Sequence, residues 1–105
     1  MPADDDLLQL IASIDPTVHA PTRLKMLAYL NIVESADFTF LLNQTQLTRG
    51  NLSANLRKLE EVGYIDIKKD FVDRVPRTLI QLSQAGRQAL GEYKLNMQLI
   101  LDELV

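Results

Sequence analysis

The segment Gln46–Gly63, QLTRGNLSANLRKLEEVG, constrains the fold more than any other part of this 105-residue chain. Leu52, Leu56 and Leu59 recur at i, i+4 and i+7, which places them on one side of a helix. Thr48 is a suitable N-cap for that helix, and the glycine that closes the segment is a suitable residue just beyond its end. The other face is small, polar and basic. The segment therefore predicts a surface helix with one buried side.

A predicted β-hairpin follows this helix directly. Tyr64–Lys69 has strand character, and Thr78–Leu82 forms the partner strand. The hairpin is bracketed by four cations, Lys68, Lys69, Arg74 and Arg77. A narrow polar helix beside a basic ribbon matches a DNA groove and its flanking phosphates. Exposed hairpins also carry lysine simply to block edge pairing, so the charge alone does not decide between the two interpretations.

The rest of the pattern is mainly helical. Leucine and isoleucine spacing predicts a helix at Asp4–Ile14, with aspartates in its first turn. Pro21 begins a second helix, Ser35–Thr39 is a break, and Phe40–Gln46 is a short third helix. Ser83 caps a last helix that runs to the C-terminus. We therefore expect one domain over all 105 residues, mainly α with a small hairpin: four helices, two strands and a long final helix.

The positive charge is confined to the middle of the chain, although the net charge is −3. Residues 49–77 hold seven basic and five acidic side chains, whereas residues 1–48 hold two basic and six acidic ones. A general nucleic-acid coat normally carries an overall excess of lysine and arginine. The distribution favours a protein that approaches DNA by one face only.

The sequence contains little that could support catalysis. There is no cysteine and one histidine, so we expect no metal site and no cofactor. The glycine pattern of a phosphate-binding loop is missing, and no nucleophile lies in a recognisable catalytic context. The acidic start does not resemble a signal peptide, and no apolar run reaches membrane-spanning length. We expect a cytoplasmic protein without enzymatic activity.

Two segments resemble the winged helix-turn-helix of MarR-like and ArsR-like transcriptional regulators. They are Leu47–Tyr64, LTRGNLSANLRKLEEVGY, and the DR…QLSQAGR pattern between Asp73 and Arg87. His19–Leu24 is similar to the start of that core, and the resemblance covers about Thr17–Tyr93. It implies a homodimer on a pseudo-palindromic operator, with one recognition helix per half-site in the major groove and the wings toward the minor groove.

The predicted recognition helix exposes small or hydrogen-bonding side chains in its first half, which allows close approach to base edges. Asn51 could pair with adenine, and Arg57 could pair with guanine or bind a phosphate. Side chains better suited to phosphates are Arg49, Ser53 and Lys58. Asn55 lies beside the buried leucines, and its role stays open. The predicted contacts of this helix are Thr48, Arg49, Asn51, Ser53, Ala54, Arg57 and Lys58.

The predicted wing contributes Lys68, Lys69, Arg74 and Arg77. An arginine at a wing tip can enter a narrow, electronegative minor groove. Spacing does not tell whether Arg74 or Arg77 does so, and Asp73 could orient Arg74 through a salt bridge.

Both terminal helices, residues 1–15 and 84–105, are too apolar to be covered easily by one winged-helix core. We expect them to form a dimer interface. The predicted interface residues are Leu7, Leu8, Ile11, Leu90, Tyr93, Met97, Ile100 and Leu104. In the competing interpretation, both helices fold back on the core of their own chain.

The leading hypothesis is a dimeric regulator, in the first place a repressor, that binds double-stranded DNA at an operator. A second hypothesis is a winged-helix module that binds an acidic protein partner without DNA, which the net negative charge keeps open. A third is a sensor whose dimer cleft holds a small apolar effector, although no residue identifies such a ligand.

Overall fold

The structure is a computed structural model that describes residues 4–105. It contains five helices and one antiparallel sheet of three strands. In chain order the elements are α1 (Asp4–Ala12), α2 (Pro21–Val33), β1 (Ser35–Asp37), α3 (Phe38–Thr45), α4 (Arg49–Glu61), β2 (Ile65–Val72), β3 (Val75–Leu82) and α5 (Gln84–Asp102). The predicted mainly α fold with a small hairpin is confirmed.

The ends of the helices follow from residues that the sequence makes easy to recognise. Thr48 accepts a hydrogen bond from the Asn51 backbone N–H at 3.1 Å, and Ser83 accepts one from Gly86 at 3.0 Å. Pro21 occupies the first turn of α2, where its missing N–H costs nothing. The predicted caps of α4 and α5 are therefore confirmed. The first helix ends at Ala12, two residues before its predicted end.

The predicted break between the second and third helices exists, but it is shorter than Ser35–Thr39, because α3 begins at Phe38, and it holds a strand that was not predicted. Residues 35–37 form β1, which pairs with β3 in the register Ser35↔Gln81, Ala36↔Ile80 and Asp37↔Leu79. Asp37 also caps α3, because its Oδ1 accepts a hydrogen bond from the Phe40 N–H at 2.7 Å. The predicted two-stranded sheet therefore has a third strand, in the order β1-β3-β2.

The hydrophobic core lies between the sheet and helices α2, α3 and α4. The leucine stripe of α4 is buried, as the spacing predicts, with Leu52 and Leu59 fully covered. Opposing side chains come from α2, α3 and the sheet: Met26, Leu27, Leu30, Leu41, Ile65 and Ile80. This packing fixes the orientation of α4 and leaves its polar face toward solvent.

Glycine at position 86 allows α5 to start directly against the sheet. A Cβ at that position would come within 2.1 Å of the Tyr64 carbonyl oxygen and 2.9 Å of a Leu82 methyl carbon. The C-terminal part of α5 extends away from this junction, and α1 packs against α5 of the same chain. The molecule is consequently elongated, with principal extents of 59 × 25 × 21 Å.

Candidate nucleic-acid interface

A groove of about 310 Å³ separates the polar face of α4 from the β2–β3 hairpin. Ser53 and Arg57 line it from the helix, and Lys69 and Thr78 line it from the hairpin. Glu60 is the one acidic residue on its wall. Two cations on facing elements, with two small hydroxyl side chains in the same groove, provide a surface that can follow a phosphate backbone.

The two faces of the hairpin carry its lysines in different directions. Side chains alternate along a strand, and Ile65, Ile67 and Lys69 share the face toward α4. Lys68 therefore lies on the opposite face. The structure brings Lys69 together with the predicted helix contacts, whereas Lys68 is exposed on the other side of the wing.

Arg77 lies on the same face as Lys68 and is held by an acidic neighbour. Its Nη2 is 2.8 Å from Asp70 Oδ2, and its Nε donates to Asp70 Oδ1 at 3.0 Å. The hydrogen bond from Arg77 lowers the pKa of Asp70 below its usual value. Asp70 was missed as a site residue, although cross-strand pairs of opposite charge are a regular feature of sheets.

The tip of the hairpin is a two-residue turn formed by Asp73 and Arg74. Both residues have positive φ angles, 52° and 68°, as in a type I′ turn. The expected salt bridge between them is not formed: the one ion pair within residues 4–105 joins Arg77 to Asp70. Arg74 thus occupies a position where glycine is preferred, and its side chain extends from the very end of the hairpin.

The strand ends next to this turn carry apolar side chains. Phe71, Val72 and Val75 are 73%, 44% and 62% exposed. These residues belong to the hairpin but lie beyond the hydrophobic core, because β2 and β3 run farther than the predicted strand ends at Lys69 and Thr78. Lys69 interrupts the apolar alternation of Ile65 and Ile67 before Phe71, so the sequence carries little signal for the longer strand.

The first turn of α4 is held in place by two contacts. Thr48 is occupied by its capping hydrogen bond, and the Arg49 guanidinium lies 5.6 Å from the centre of the Phe38 ring. Ala54 and Lys58 are exposed on the outer surface of the helix. The predicted helix contacts are therefore spread over one continuous face, with Arg49 resting on α3.

Asn51 and Asn55 form a hydrogen-bonded pair on the flank of α4 that faces away from the hairpin. Asn55 Nδ2 donates to Asn51 Oδ1 at 2.6 Å and to the Asn51 carbonyl oxygen at 2.9 Å. Arg23, from α2, donates to Asn55 Oδ1 at 3.4 Å. The residue whose role the sequence leaves open is thus the one that joins Asn51 to the body of the protein.

A second polar connection fixes the other end of α4. The Tyr64 hydroxyl donates a hydrogen bond to Asp15 in the loop between α1 and α2. This bond, together with partial burial, raises the pKa of Tyr64 to about 12. The sequence gives little sign of this contact, because its partners lie 49 positions apart in the chain.

The predicted dimer residues divide into three groups. Leu90 and Tyr93 are half-buried against the core of their own chain, and Ile100 is also buried within its own chain. The Tyr93 hydroxyl is also hydrogen-bonded to His19 at 2.9 Å. Leu7 and Met97 are half-buried. The residues left exposed are Leu8, Ile11 and Leu104, together with Leu95, Leu99 and Leu101, which were not among the predicted contacts.

An apolar groove of about 540 Å³ runs between α2 and α5. Its walls include Ile32, Leu90, Met97 and Leu101, with Arg87 and Lys94 among the polar residues at its border. Ile32 is 78% exposed. Because of the exposed leucines and this groove, the α5 side of the molecule is largely apolar, whereas the α4 side is largely polar.

A family model described as a winged helix DNA-binding domain matches residues 22–101. The chain belongs to this family. Helix α4 is accordingly its recognition helix, and the β2–β3 hairpin is its wing. A winged-helix domain of this kind binds DNA and is not an enzyme.

Comparison with other proteins agrees with this assignment. An uncharacterized protein of Methanocaldococcus jannaschii is 38% identical over 71 residues, covering 68% of this chain and 77% of its own length. A transcriptional regulator homologue from Pyrococcus horikoshii superposes with a TM-score of 0.83 at 26% identity, covering 95% of this chain and 97% of its own.

The regulator BldR from Sulfolobus solfataricus shares the fold, with a TM-score of 0.66 at 22% identity. The match covers 99% of this chain and 85% of BldR. The predicted similarity of this winged-helix protein to MarR-like transcriptional regulators is confirmed. Within residues 4–105 no helix is both long and apolar enough to cross a membrane. The same part of the chain holds no cluster of three side chains suited to a metal ion.

Proposed function

We propose that this winged-helix protein is a sequence-specific transcriptional repressor that binds a pseudo-palindromic operator as a homodimer. The observation that carries the proposal is the groove between recognition helix and wing, where Arg57 and Lys69 face each other across Ser53 and Thr78. A helix in the major groove would place these cations beside the phosphate backbone.

The conformation of the wing tip supports DNA contact by Arg74. A non-glycine residue at φ 68° has an unfavourable backbone conformation that costs about 1 kcal/mol. Asp-Gly would form the same turn without that cost. A strained position that keeps a long cationic side chain at the end of the wing fits insertion into a minor groove. Arg77, paired with Asp70, is the less available of the two arginines.

Dimerisation is proposed from the opposite side of the molecule. Leu101 on α5 is 55% exposed and lines the apolar groove between α2 and α5, and Leu8, Leu95 and Leu99 on other faces of α1 and α5 are also more than half exposed. A continuous apolar patch such as this groove marks an interaction site. A second copy would cover it symmetrically and place two recognition helices about one helical turn of DNA apart.

The exposed apolar residues of the wing tip favour a second candidate function, a winged-helix module that binds an acidic protein. Phe71 and Val75 beside Arg74 would suit a partner with both apolar and acidic groups. The salt dependence of DNA binding separates the two functions, because each phosphate contact adds roughly 0.9 to the slope of log affinity against log salt.

We expect a steep slope for the best DNA ligand in a titration between low and physiological salt. A slope near zero, or equal affinity for all genomic fragments in a gel-shift assay, would contradict the proposed operator binding. Selective capture of an acidic protein from DNase-treated lysate, together with no DNA selectivity, would favour the second function.

A further inference from the structure

On the outer flank of α4, Arg23 determines which side chain donates and which accepts in a series of hydrogen bonds. This arginine lies on α2 and is held by the loop between α1 and α2: its Nε donates to the Thr17 carbonyl at 2.7 Å and its Nη2 to the Pro16 carbonyl at 3.3 Å. The remaining nitrogen, Nη1, is directed at Asn55 Oδ1 at 3.4 Å. A guanidinium group only donates hydrogen bonds. The Asn55 side chain must therefore turn its oxygen toward Arg23.

The orientation of Asn55 determines that of Asn51. With its oxygen toward Arg23, Asn55 directs its NH₂ group at Asn51, where Oδ1 accepts at 2.6 Å. The main chain at this point is fixed as well, because the Asn51 N–H is bound to the Thr48 hydroxyl and its carbonyl accepts from Asn55 at 2.9 Å. Asn51 is exposed. The group that it leaves for a ligand is the Nδ2 amino group, with both of its N–H donors.

We propose that Arg23 and Asn55 set the hydrogen-bond polarity of Asn51, so that Asn51 offers donors to the major groove and selects guanine over adenine. The inference rests on the proposed DNA-binding function and deepens it. Guanine presents two acceptors in the major groove, N7 and O6, whereas adenine presents one acceptor and one donor. The usual paired contact of asparagine with adenine needs both the oxygen and the NH₂ group turned toward the base, whereas Asn55 holds the Asn51 oxygen toward itself. Asn55 and Arg23 are positioning residues, and neither has to touch DNA.

The hydrogen bonds from Arg23 through Asn55 to Asn51 form a relay. Selection of bound sequences from random DNA tests this relay directly. For the wild-type protein we expect guanine at one position of each half-site, and Asn51→Ala should remove that preference. Asn55→Asp keeps the shape of the side chain but replaces its NH₂ donor by a carboxylate, which accepts from both Arg23 and Asn51. Asn51 would then turn its oxygen outward. We expect the ratio of guanine to adenine at that position to fall about tenfold.

Two further variants complete the test. Asn43→Asp makes the same chemical change on the exposed surface of α3, and we expect it to leave the base preference unchanged. Arg23→Gln removes the fixed donor while keeping Asn55, and we expect a smaller shift in the same direction as Asn55→Asp. Thermal melts confirm that each variant is folded.

An unchanged guanine-to-adenine ratio in Asn55→Asp, with wild-type selectivity intact elsewhere in the site, would overturn the relay and leave the proposed function standing. The same shift in Asn43→Asp would also overturn it, because the added charge alone would then be the cause. If the wild-type protein enriches no sequence at all, the proposed function fails, and the relay fails with it.

Discussion

The α4 end and the α5 end of this molecule differ in the polarity of the surface that a single chain exposes to solvent. Around the recognition helix the leucine stripe is buried, and the free surface is small, polar and cationic apart from the wing tip. At the other end, Leu8 on α1 and Leu99 on α5 are 63% and 53% exposed. The comparison indicates that one chain completes its recognition helix and wing by itself, whereas we propose that the terminal helices are covered only when a second copy binds.

We expect the largest effect from a charged substitution in the proposed dimer interface. Leu8→Glu places a charge in the proposed interface, and by symmetry it does so twice in each dimer. Burial of one leucine is worth about 1.5–3 kcal/mol, so we expect the dimer to weaken by about 3–6 kcal/mol. Sedimentation equilibrium measures the change. Gln9→Glu, one residue farther along the same exposed helix, is the control and should change little; equal effects in the two variants would contradict this interface.

The junction between the two ends is the next most sensitive point. Gly86→Ala brings a Cβ against the Tyr64 carbonyl oxygen, so α5 must shift. We expect the free energy of unfolding to fall by about 1–3 kcal/mol in chemical denaturation. Gly91→Ala in the same helix meets no atom within 4 Å and should raise it by about 0.5–1 kcal/mol. Equal stability of the two variants would contradict the close packing of α5 on the sheet.

Changes at the polar end should affect DNA and leave the dimer intact. We expect Arg57→Ala to weaken operator binding by about 1–3 kcal/mol and to relax the sequence preference, because Arg57 faces the groove between recognition helix and wing. Fluorescence anisotropy with the operator and with a scrambled duplex measures both effects. Equal losses on the two duplexes would make Arg57 a phosphate contact without a role in sequence selection.

At the wing tip, we expect one substitution to raise the stability of the fold and to lower the affinity for DNA. Arg74→Gly relieves the positive φ angle and should stabilise the fold by about 1 kcal/mol, while DNA affinity falls. Arg74→Ala removes the same charge but keeps the backbone strain, so it should lose affinity without gaining stability. Thermal melts and binding titrations of both variants give the result, and unaltered DNA affinity in both would exclude the tip from the interface.

The smallest expected effect is a pH dependence at the base of the recognition helix. The pKa of Tyr64 lies near 12, above its usual value of 10.0. A group with a raised pKa stabilises the fold fully below its unfolded pKa, and the contribution is lost as the pH rises toward the folded value. We therefore expect stability to decline between about pH 10 and 12, and less so in Tyr64→Phe. Ultraviolet titrations of the wild-type protein and of Tyr64→Phe should differ by one tyrosine that ionises near pH 12, if the contact with Asp15 persists in solution.

The parts of this structure that the sequence predicts are those in which neighbouring residues decide the outcome. The leucine spacing of α4, its Thr48 cap and the Ser83 cap of α5 all act within one or two turns of helix. The strand β1 was missed because three residues, Ser-Ala-Asp, show no alternation of their own and become a strand only by pairing with β3. The hairpin was predicted too short for a similar reason, since its outer half lies beyond the core that makes its inner half recognisable.

The polar contacts around the recognition helix are harder to predict, because they join residues far apart in the chain. Arg23 and Asn55 are separated by 32 positions, and nothing in either local sequence indicates the other. The pairing of Arg77 with Asp70, rather than Arg74 with Asp73, follows from the register of the hairpin and its turn. The terminal helices were correctly identified as apolar, yet their packing on each other decides which leucines remain exposed.

Titration of a selected operator, compared with a duplex in which one half-site is scrambled, tests whether two chains bind the operator together. If one end of each chain reads DNA and the other end pairs with a second copy, two chains should bind the intact operator together. Scrambling one half-site should then weaken binding more than tenfold, since about half of the base contacts are lost while each mismatched base pair costs about 1–3 kcal/mol. Equal affinity for the two duplexes, or one chain per operator by native mass spectrometry, would contradict the account.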